Sequence, residues 1–169
     1  MFTAMPNAQQ SSLHQQVIKR VEHCLSQASS QLQRSFTMPT VNFNQRGRIA
    51  GSAWLNRWEL RFNPILLADN ETAFMQEVIP HEVAHLVTFA CFGKVKPHGK
   101  EWQHIMRSVF NLTPRTRHQL DTSKVAATFL YHCDCQVHHL SLRRHNKVQR
   151  RQQRYQCVHC QQVLAAATT

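Results

Sequence analysis

The chain has 169 residues and is 42% hydrophobic, which is enough for one compact domain with a small appendage. No apolar run approaches the roughly 18 residues of a membrane span, and the N-terminus lacks the basic and apolar regions of a signal peptide. We therefore expect a cytoplasmic protein without a membrane partner. Its formal net charge of +11 suits a polyanionic partner, nucleic acid before membrane.

The first part of the chain is predicted to form a scaffold. Residues 1–10 are expected to be disordered, and from Leu13 to Leu32 apolar residues recur at helical spacing. Between Val41 and Asn63 the pattern changes to alternation, broken by turn residues. This pattern predicts a short antiparallel meander of three strands, with a turn at Asn56-Arg57.

The most informative motif is His81-Glu82-Val83-Ala84-His85, which has the pattern H-E-x-x-H. Two histidines four residues apart lie on one face of a helix, so both imidazoles can bind one zinc ion. Glu82 lies beside the metal, where it can take a proton from a zinc-bound water. The apolar flanks predict that this helix is largely buried, and a buried carboxylate between two histidines is costly unless a metal compensates it.

The helix that carries this motif is predicted to begin near Asp69 or Asn70 and to end at Gly93. Pro80 lies inside it and should kink it, because proline removes one backbone hydrogen bond. In zinc peptidases an edge strand beside such a helix commonly binds the substrate backbone by strand addition. The sequence leaves open which predicted strand is that edge.

A hydrolytic zinc usually has three protein ligands and one open position. His98 and Glu101 are both candidates for the third ligand, since each lies at the start of the next predicted helix. Spacing favours His98, in a tight Pro-His-Gly turn, because a glutamate in a first helical turn is an ordinary partner of the helix dipole. The helix that follows is predicted to bury one apolar face, formed by Trp102, Ile105, Met106, Val109 and Phe110.

Four of the 6 cysteines lie near the C-terminus as two pairs, Cys133 with Cys135 and Cys157 with Cys160. In a cytoplasmic chain such pairs indicate metal ligands rather than disulfides. Two pairs on hairpin turns are typical of a zinc ribbon, whose small core depends on the metal to fold. The first pair is C-x-C, tighter than the usual C-x-x-C, so His138 is an alternative to Cys135 as the fourth ligand.

The same segment carries much of the positive charge. Clustered cations favour phosphate contacts, and the neighbouring Tyr155 could stack on an unpaired base; the alternative is a solvated hairpin face. The predicted nucleic-acid-binding residues are Arg143, Arg144, Lys147, Arg150, Arg151 and Arg154.

Together these segments resemble the SprT-like metallopeptidases, especially their bacterial members, in a family that includes the eukaryotic DNA-repair protease Spartan. The likeness spans roughly residues 12–165. It is carried by the H-E-x-x-H motif and by Gln45-Arg46-Gly47, Ala53-Trp54-Leu55, Leu60-Arg61-Phe62-Asn63-Pro64, Pro97-His98-Gly99-Lys100-Glu101-Trp102, Tyr131-His132-Cys133 and Arg143-Arg144-His145-Asn146. The resemblance implies a minimal zincin fold, a catalytic zinc on His81, His85 and His98, and Glu82 as the catalytic carboxylate.

We thus predict an α+β protein, with a minimal zincin-like metallopeptidase domain of helices and a small antiparallel sheet over residues 11–125. A basic zinc ribbon that binds DNA is predicted over residues 126–169. The expected activity is that of a zinc-dependent endopeptidase, with one catalytic and one structural zinc, in which Glu82 assists the attack of zinc-bound water on a peptide bond.

The resemblance implies that the protein substrates are associated with or crosslinked to DNA, and that the partner is DNA, especially single-stranded DNA. The alternative is a zinc-stabilised nucleic-acid-binding or regulatory protein with little or no peptidase activity. Glu82 favours the enzyme, because a purely structural zinc site needs no carboxylate at that position.

Overall fold

A computed structural model describes residues 8–116, 120–122, 125 and 128–166. The chain divides into two compact units, Met1–Asp121 and Thr122–Thr169, close to the predicted boundary after residue 125. Among the described residues, no helix combines the length and the apolar character that crossing a membrane requires.

The first unit begins with a long helix, α1 (Ala8–Leu32). The predicted apolar spacing gives it a buried face, formed by Val17, Val21, Cys24, Leu25 and Ala28. This face contacts the helix that carries the H-E-x-x-H motif. The helix starts inside the segment predicted to be disordered, so residues 8–10 are helical. Residues 1–7, the rest of that segment, lie outside the described residues.

A three-stranded sheet follows, formed by β1 (Thr40–Asn42), β2 (Gly51–Trp54) and β3 (Glu59–Phe62) in the order β1-β3-β2. The predicted antiparallel pairing of β2 with β3 is confirmed, and a 3-10 turn at Leu55–Arg57 joins the two strands. The predicted meander order is wrong, because β1 pairs with β3 in parallel.

Asn63 explains this strand order. Its buried side chain donates a 2.8 Å hydrogen bond to the carbonyl oxygen of Gly47, and its backbone N–H donates to Ala50 at 2.8 Å. These bonds hold the connection between β1 and β2 around the end of β3. β2 therefore reaches the far side of β3 and becomes an edge strand of this sheet.

Helices complete the first unit. Asn63 also caps α2 (Pro64–Asp69), where its side chain accepts hydrogen bonds from the N–H groups of Ile65 and Leu66. A helical stretch then runs through α3 (Glu71–Ala73), a π-helical turn (Phe74–Val78) and α4 (Ile79–Phe92), and Gly93 caps it with φ 70°. The predicted start and end are confirmed.

Pro80 lies in the first turn of α4, directly after the π-helical turn. A proline in a first turn costs little, because the N–H that it lacks would have no α-helical partner there. The irregularity that the sequence predicted at Pro80 is thus a wider turn immediately before it.

The last helix of the unit consists of α5 (Lys100–His104) and a second π-helical turn (Ile105–Val109). All five residues predicted to form its apolar face are buried. This burial places the helix against α4 and brings its N-terminal turn next to the H-E-x-x-H motif.

The second unit contains an antiparallel sheet of β4 (Thr128–His132), β5 (Val137–Ser141) and β6 (Ala165–Ala166) in the order β5-β4-β6. Its small core is formed by Tyr131, Cys133, Leu140, Cys157 and Leu164. Both units thus combine helices with a small sheet, and the predicted α+β class is confirmed.

The basic segment is a helix, α6 (Leu142–Gln149), where the sequence predicted a hairpin. Two contacts hold it against the sheet. The His145 ring stacks on Phe129 at 3.7 Å between centroids, and Val148 packs against the small core. The segment has no glycine or proline to interrupt a helix.

Candidate metal centres

Three histidines converge in the first unit. α4 places His81 and His85 on one face, and His98 comes from the turn before α5. Their Nε2 atoms are 3.2 Å (His81–His85), 3.1 Å (His85–His98) and 3.0 Å (His81–His98) apart. A tetrahedral zinc at about 2.05 Å from each nitrogen separates its ligands by about 3.3 Å, so the donor set fits that ion.

The turn that presents His98 has a steric requirement. His98 has a left-handed backbone with φ 57°. A Cβ at Gly99 would lie 2.8 Å from the carbonyl oxygen of Lys96, so glycine is needed at this position. Among the described residues the structure brings His98 into the group of possible ligands, and Glu101 is not part of it.

Burial favours the neutral form of two of these imidazoles, those of His85 and His98. Desolvation, and then the neighbouring His98, lower the pKa of His85 to about 4. Desolvation also lowers the pKa of His98. Neutral imidazole is the form that binds a metal, so the pocket favours the ligating state.

Trp102 supports all three rings. It is buried, and its ring centroid lies 4.8 Å from His81, 5.5 Å from His85 and 4.7 Å from His98. Trp102 was predicted as part of an apolar face and of a family motif, but this contact was not predicted. Its position in the first turn of α5, four residues after His98 in the sequence, was the available signal.

Glu82 is buried between α4 and the edge strand β2. Burial raises its pKa to about 8, and a hydrogen bond from the backbone N–H of Ala53 acts in the opposite direction. A Cβ at Gly51 would lie 2.9 Å from the Cγ of Glu82, so β2 can approach this close only with glycine there. A carboxyl group whose pKa lies near neutrality is suited to proton transfer. The roles of Gly51 and of the Ala53 N–H beside Glu82 were not predicted from the sequence.

A cleft opens over this group of residues. It has a volume of about 420 Å³ and is lined by β2 residues on one side and by the three histidines and Glu82 on the other. We call it the central cleft. β2 pairs only with β3 among the described residues, so no strand covers its other edge, although the N–H of Ala53 is bound to Glu82.

The four C-terminal cysteines also converge, as a group of possible metal ligands. The Sγ of Cys135 lies 3.4 Å from that of Cys133 and 3.5 Å from that of Cys157, and none of the cysteines forms a disulfide. Sulfurs that bind one zinc at about 2.3 Å are about 3.8 Å apart, so this donor set also fits zinc. The alternative ligand His138 is close as well, with its Nε2 3.2 Å from the Sγ of Cys133.

The thiols of this cluster differ in how easily they ionise. The backbone N–H of Cys160 is the largest cause that lowers the pKa of Cys157, to about 5. The thiol of Cys135 donates to Cys133 and Cys157, which raises its pKa to about 12. A metal ion bound to the cluster would replace the shared protons, so that all of its thiols could be deprotonated.

The predicted nucleic-acid-binding residues fall into different surroundings. Arg143, Lys147 and Arg150 line one hollow of about 420 Å³ along α6, together with Leu142, Asn146 and Gln152. The guanidinium of Arg144 instead lies 5.5 Å above the ring of Tyr155. Arg151 and Arg154 are exposed after the end of the helix.

Comparison with known sequences extends these observations. The sequence model of the SprT-like family matches residues 21–120, which hold the three histidines and Glu82. The chain belongs to the SprT-like family. This membership confirms the resemblance seen in the sequence motifs.

Proteins named Protein SprT are similar over most of the chain. The one from Pasteurella multocida is 48% identical over 156 residues, which cover 92% of this chain and 94% of that protein. The one from Vibrio atlanticus is 49% identical over 150 residues (88% and 90%), and that from Shewanella oneidensis 47% over 156 residues (92% and 100%). These matches are longer than the first unit, so they also include part of the second unit, which carries the four C-terminal cysteines. No solved structure gives a significant match.

Proposed function

We propose that the protein is a zinc-dependent endopeptidase that cleaves proteins associated with DNA. The observation that carries this proposal is the convergence of three histidine nitrogens beside a buried carboxylate at the floor of the central cleft. Among the described residues no fourth ligating side chain joins the histidines. A structural zinc site would close with a fourth protein ligand, whereas a catalytic site keeps one position open.

The histidine group, Glu82 and Ala53 have separate roles in the proposed reaction. When bound there, zinc supplies a Lewis acid that polarises a carbonyl group and acidifies water. Glu82 acts as the general base: it takes a proton from the attacking water and gives it to the leaving amine. The N–H of Ala53 holds the Glu82 carboxylate on the β2 side of the cleft, so the base is fixed before the substrate arrives.

The free edge of β2 supplies the means to bind a peptide. Backbone hydrogen bonds to this edge would hold an extended substrate along the central cleft, with little dependence on side chains. Such binding suits a peptidase that acts on many proteins. The sequence left open which strand is the edge strand beside the H-E-x-x-H helix. β2 is an edge strand and lines the cleft, so we assign this role to β2.

The C-terminal unit supports DNA as the partner. Arg143 and Lys147 lie four residues apart on α6 and Arg150 caps its C-terminal end, so their charges line one hollow and can contact adjacent phosphates. The net charge of +11 adds to this attraction. The choice of DNA-associated substrates rests further on the likeness to Spartan.

The test incubates the zinc-loaded protein with a DNA-binding protein, with and without single-stranded DNA, beside the variant Glu82→Gln. Glutamine has nearly the same shape but cannot accept the proton, so we expect zinc content to stay and cleavage to disappear. Metal analysis of both proteins is the control.

Three outcomes are informative. Cleavage that requires Glu82 and increases with DNA supports the proposal. Cleavage that requires Glu82 but ignores DNA retains the peptidase and removes the DNA partner. Zinc-loaded protein that binds DNA and cleaves nothing favours the alternative, a zinc-stabilised nucleic-acid-binding protein.

A further inference from the structure

We propose that a second pocket beside the central cleft binds an acidic side chain of the protein substrate, close to the scissile bond. This inference rests on the proposed peptidase function and names the sequences that it prefers. The pocket has a volume of about 530 Å³ and is lined by Ala53, Trp54, Leu55, Asn56, Arg57, Phe89 and Lys94. We call it the Trp54 pocket.

The Trp54 pocket continues the central cleft. Ala53 and Leu55 line both spaces, so the two share one wall along β2. The other wall is α4, where Phe89 lies four residues after His85 and eight after His81, on the same helix face. Cleft and pocket therefore follow one groove between β2 and α4.

The geometry of this groove sets the distance between the pocket and the proposed chemistry. Four residues along a helix rise about 6 Å, so Phe89 lies about that far beyond His85. An extended peptide advances about 3.3 Å per residue. A substrate side chain about two residues from the scissile bond would thus reach the Trp54 pocket.

The charge of the pocket selects the ligand. Its lining contains the cations Arg57 and Lys94 and no acidic residue. Neither cation forms an ion pair with any residue in the part of the chain that the structure describes. Both are exposed at the rim, where they can meet a carboxylate that enters from the cleft.

Glu59, an acidic residue two positions after Arg57 in the sequence, is already engaged. Its carboxylate binds Arg61 at 2.6 Å and accepts a hydrogen bond from Asn42 at 2.8 Å. Arg61 in turn lies 3.7 Å above the Trp54 ring, which fixes that side chain as one wall of the pocket. Glu59 also interacts electrostatically with Arg57 without a direct ion pair, so it offsets the charge of Arg57 only in part and the rim stays cationic.

A glutamate or aspartate side chain matches this arrangement. Its methylene groups would contact Phe89 and Leu55, while its carboxylate would meet the guanidinium of Arg57 or the ammonium of Lys94. Since the ion pairs remain partly exposed, each should change the rate by about two- to fivefold. The preference should weaken as salt screens the charges.

The test uses the zinc-loaded full-length chain and fluorogenic peptides of one sequence, with Glu, Gln or Lys at each position within about three residues of the cleaved bond. Mass spectrometry identifies that bond. We expect kcat/KM to be highest for Glu and lowest for Lys at one position near it, with a Glu-to-Gln ratio of about two to five.

Charge reversal supplies the second measurement. Arg57→Glu should reverse the order so that Lys is preferred, and Lys94→Glu should lower the Glu-to-Gln ratio. Lys19→Glu is the matched control, since Lys19 is an exposed residue of α1 that lines neither space. It makes the same change in net charge and should leave the ratio unchanged. Thermal unfolding of each variant verifies that it is folded.

The outcomes separate the pocket from the peptidase. Equal rates for Glu and Gln at every position, in a protein that cleaves, overturn the Trp54 pocket and leave the proposed function intact. No cleavage of any peptide by zinc-loaded protein refutes the proposed function and the inference with it. If Arg57→Glu weakens binding of a single-stranded oligonucleotide and leaves the Glu-to-Gln ratio unchanged, the pocket binds nucleic acid and the inference is wrong.

Discussion

Gly51 is the residue whose replacement tests the proposed chemistry most directly. In Gly51→Ala, the new Cβ would lie 2.9 Å from the Cγ of Glu82, 3.2 Å from its Oε1 and 3.2 Å from the Cδ1 of Phe62. Carbon atoms in contact prefer about 3.5–4.0 Å, so one neighbour must move by about 0.6–1 Å. Phe62 is fully buried in the core, so we expect Glu82 to move.

The displacement has a calculable consequence. Catalytic groups must be held within about 0.5 Å of their productive position, and an error of about 1 Å can cost about 100-fold. We therefore expect kcat to fall by about 10- to 100-fold in Gly51→Ala. The free energy of unfolding should decrease by about 1–3 kcal/mol, as in other overpacked sites. Zinc content should not change, because the substitution does not touch the histidines.

Gly47→Ala is the matched control. Nothing lies within 4 Å of a Cβ at that position, but its φ of 70° is unfavourable for alanine. It should thus lower stability by about 1–2 kcal/mol and leave kcat unchanged. Peptide cleavage, metal analysis and thermal unfolding of both variants separate the effects. A folded, zinc-loaded Gly51→Ala protein with the rate of the wild type would refute the reasoning.

Three further predictions concern other sites. In the zinc-free protein the buried Glu82 has a pKa of about 8 against an ordinary 4.5, so its stabilising effect is present below about pH 4.5 and is lost as the pH rises to 8. Urea unfolding should show a loss of about 1.4 kcal/mol per pH unit in that window relative to Glu82→Gln, and parallel pH profiles would contradict this. Cys135→Ala should lower zinc stoichiometry by one ion, whereas His138→Ala should keep both ions; the reverse result assigns the ligand to His138. Lys147→Ala should weaken oligonucleotide binding and reduce the slope of log affinity against log salt by about 1. An equal effect of Lys19→Ala would show that α6 is not the interface.

The metal-ligand groups were predictable because their signals are local. His81 and His85 lie four residues apart on a helix, and helical periodicity alone places them together. The two cysteines of each pair likewise lie on one short turn. His98 needed a second step, because its approach depends on the turn that Gly99 allows and on the burial of Trp102.

The features that were missed depend on distant contacts. The parallel pairing of β1 follows from the hydrogen bonds of Asn63 to the preceding connection, which no alternation pattern reveals. The helix α6 is held by Phe129 and by the small core. Cysteine spacing, from which the zinc ribbon was predicted, gives no information about this helix. Gly51 reads as an ordinary turn residue until the Glu82 side chain lies against it.

The turn that carries His98 gives the histidine group a second consequence. The candidate ligands His85 and His98 are 13 residues apart, and the connection between them also contains Lys94. A shared ion would cross-link that connection to α4 and remove loop entropy, in the manner of a covalent staple. A bound ion would therefore couple metal occupancy to the shape of the Trp54 pocket through one segment. Loss of zinc should leave residues 93–99 as the part of the first unit most open to proteolytic nicking.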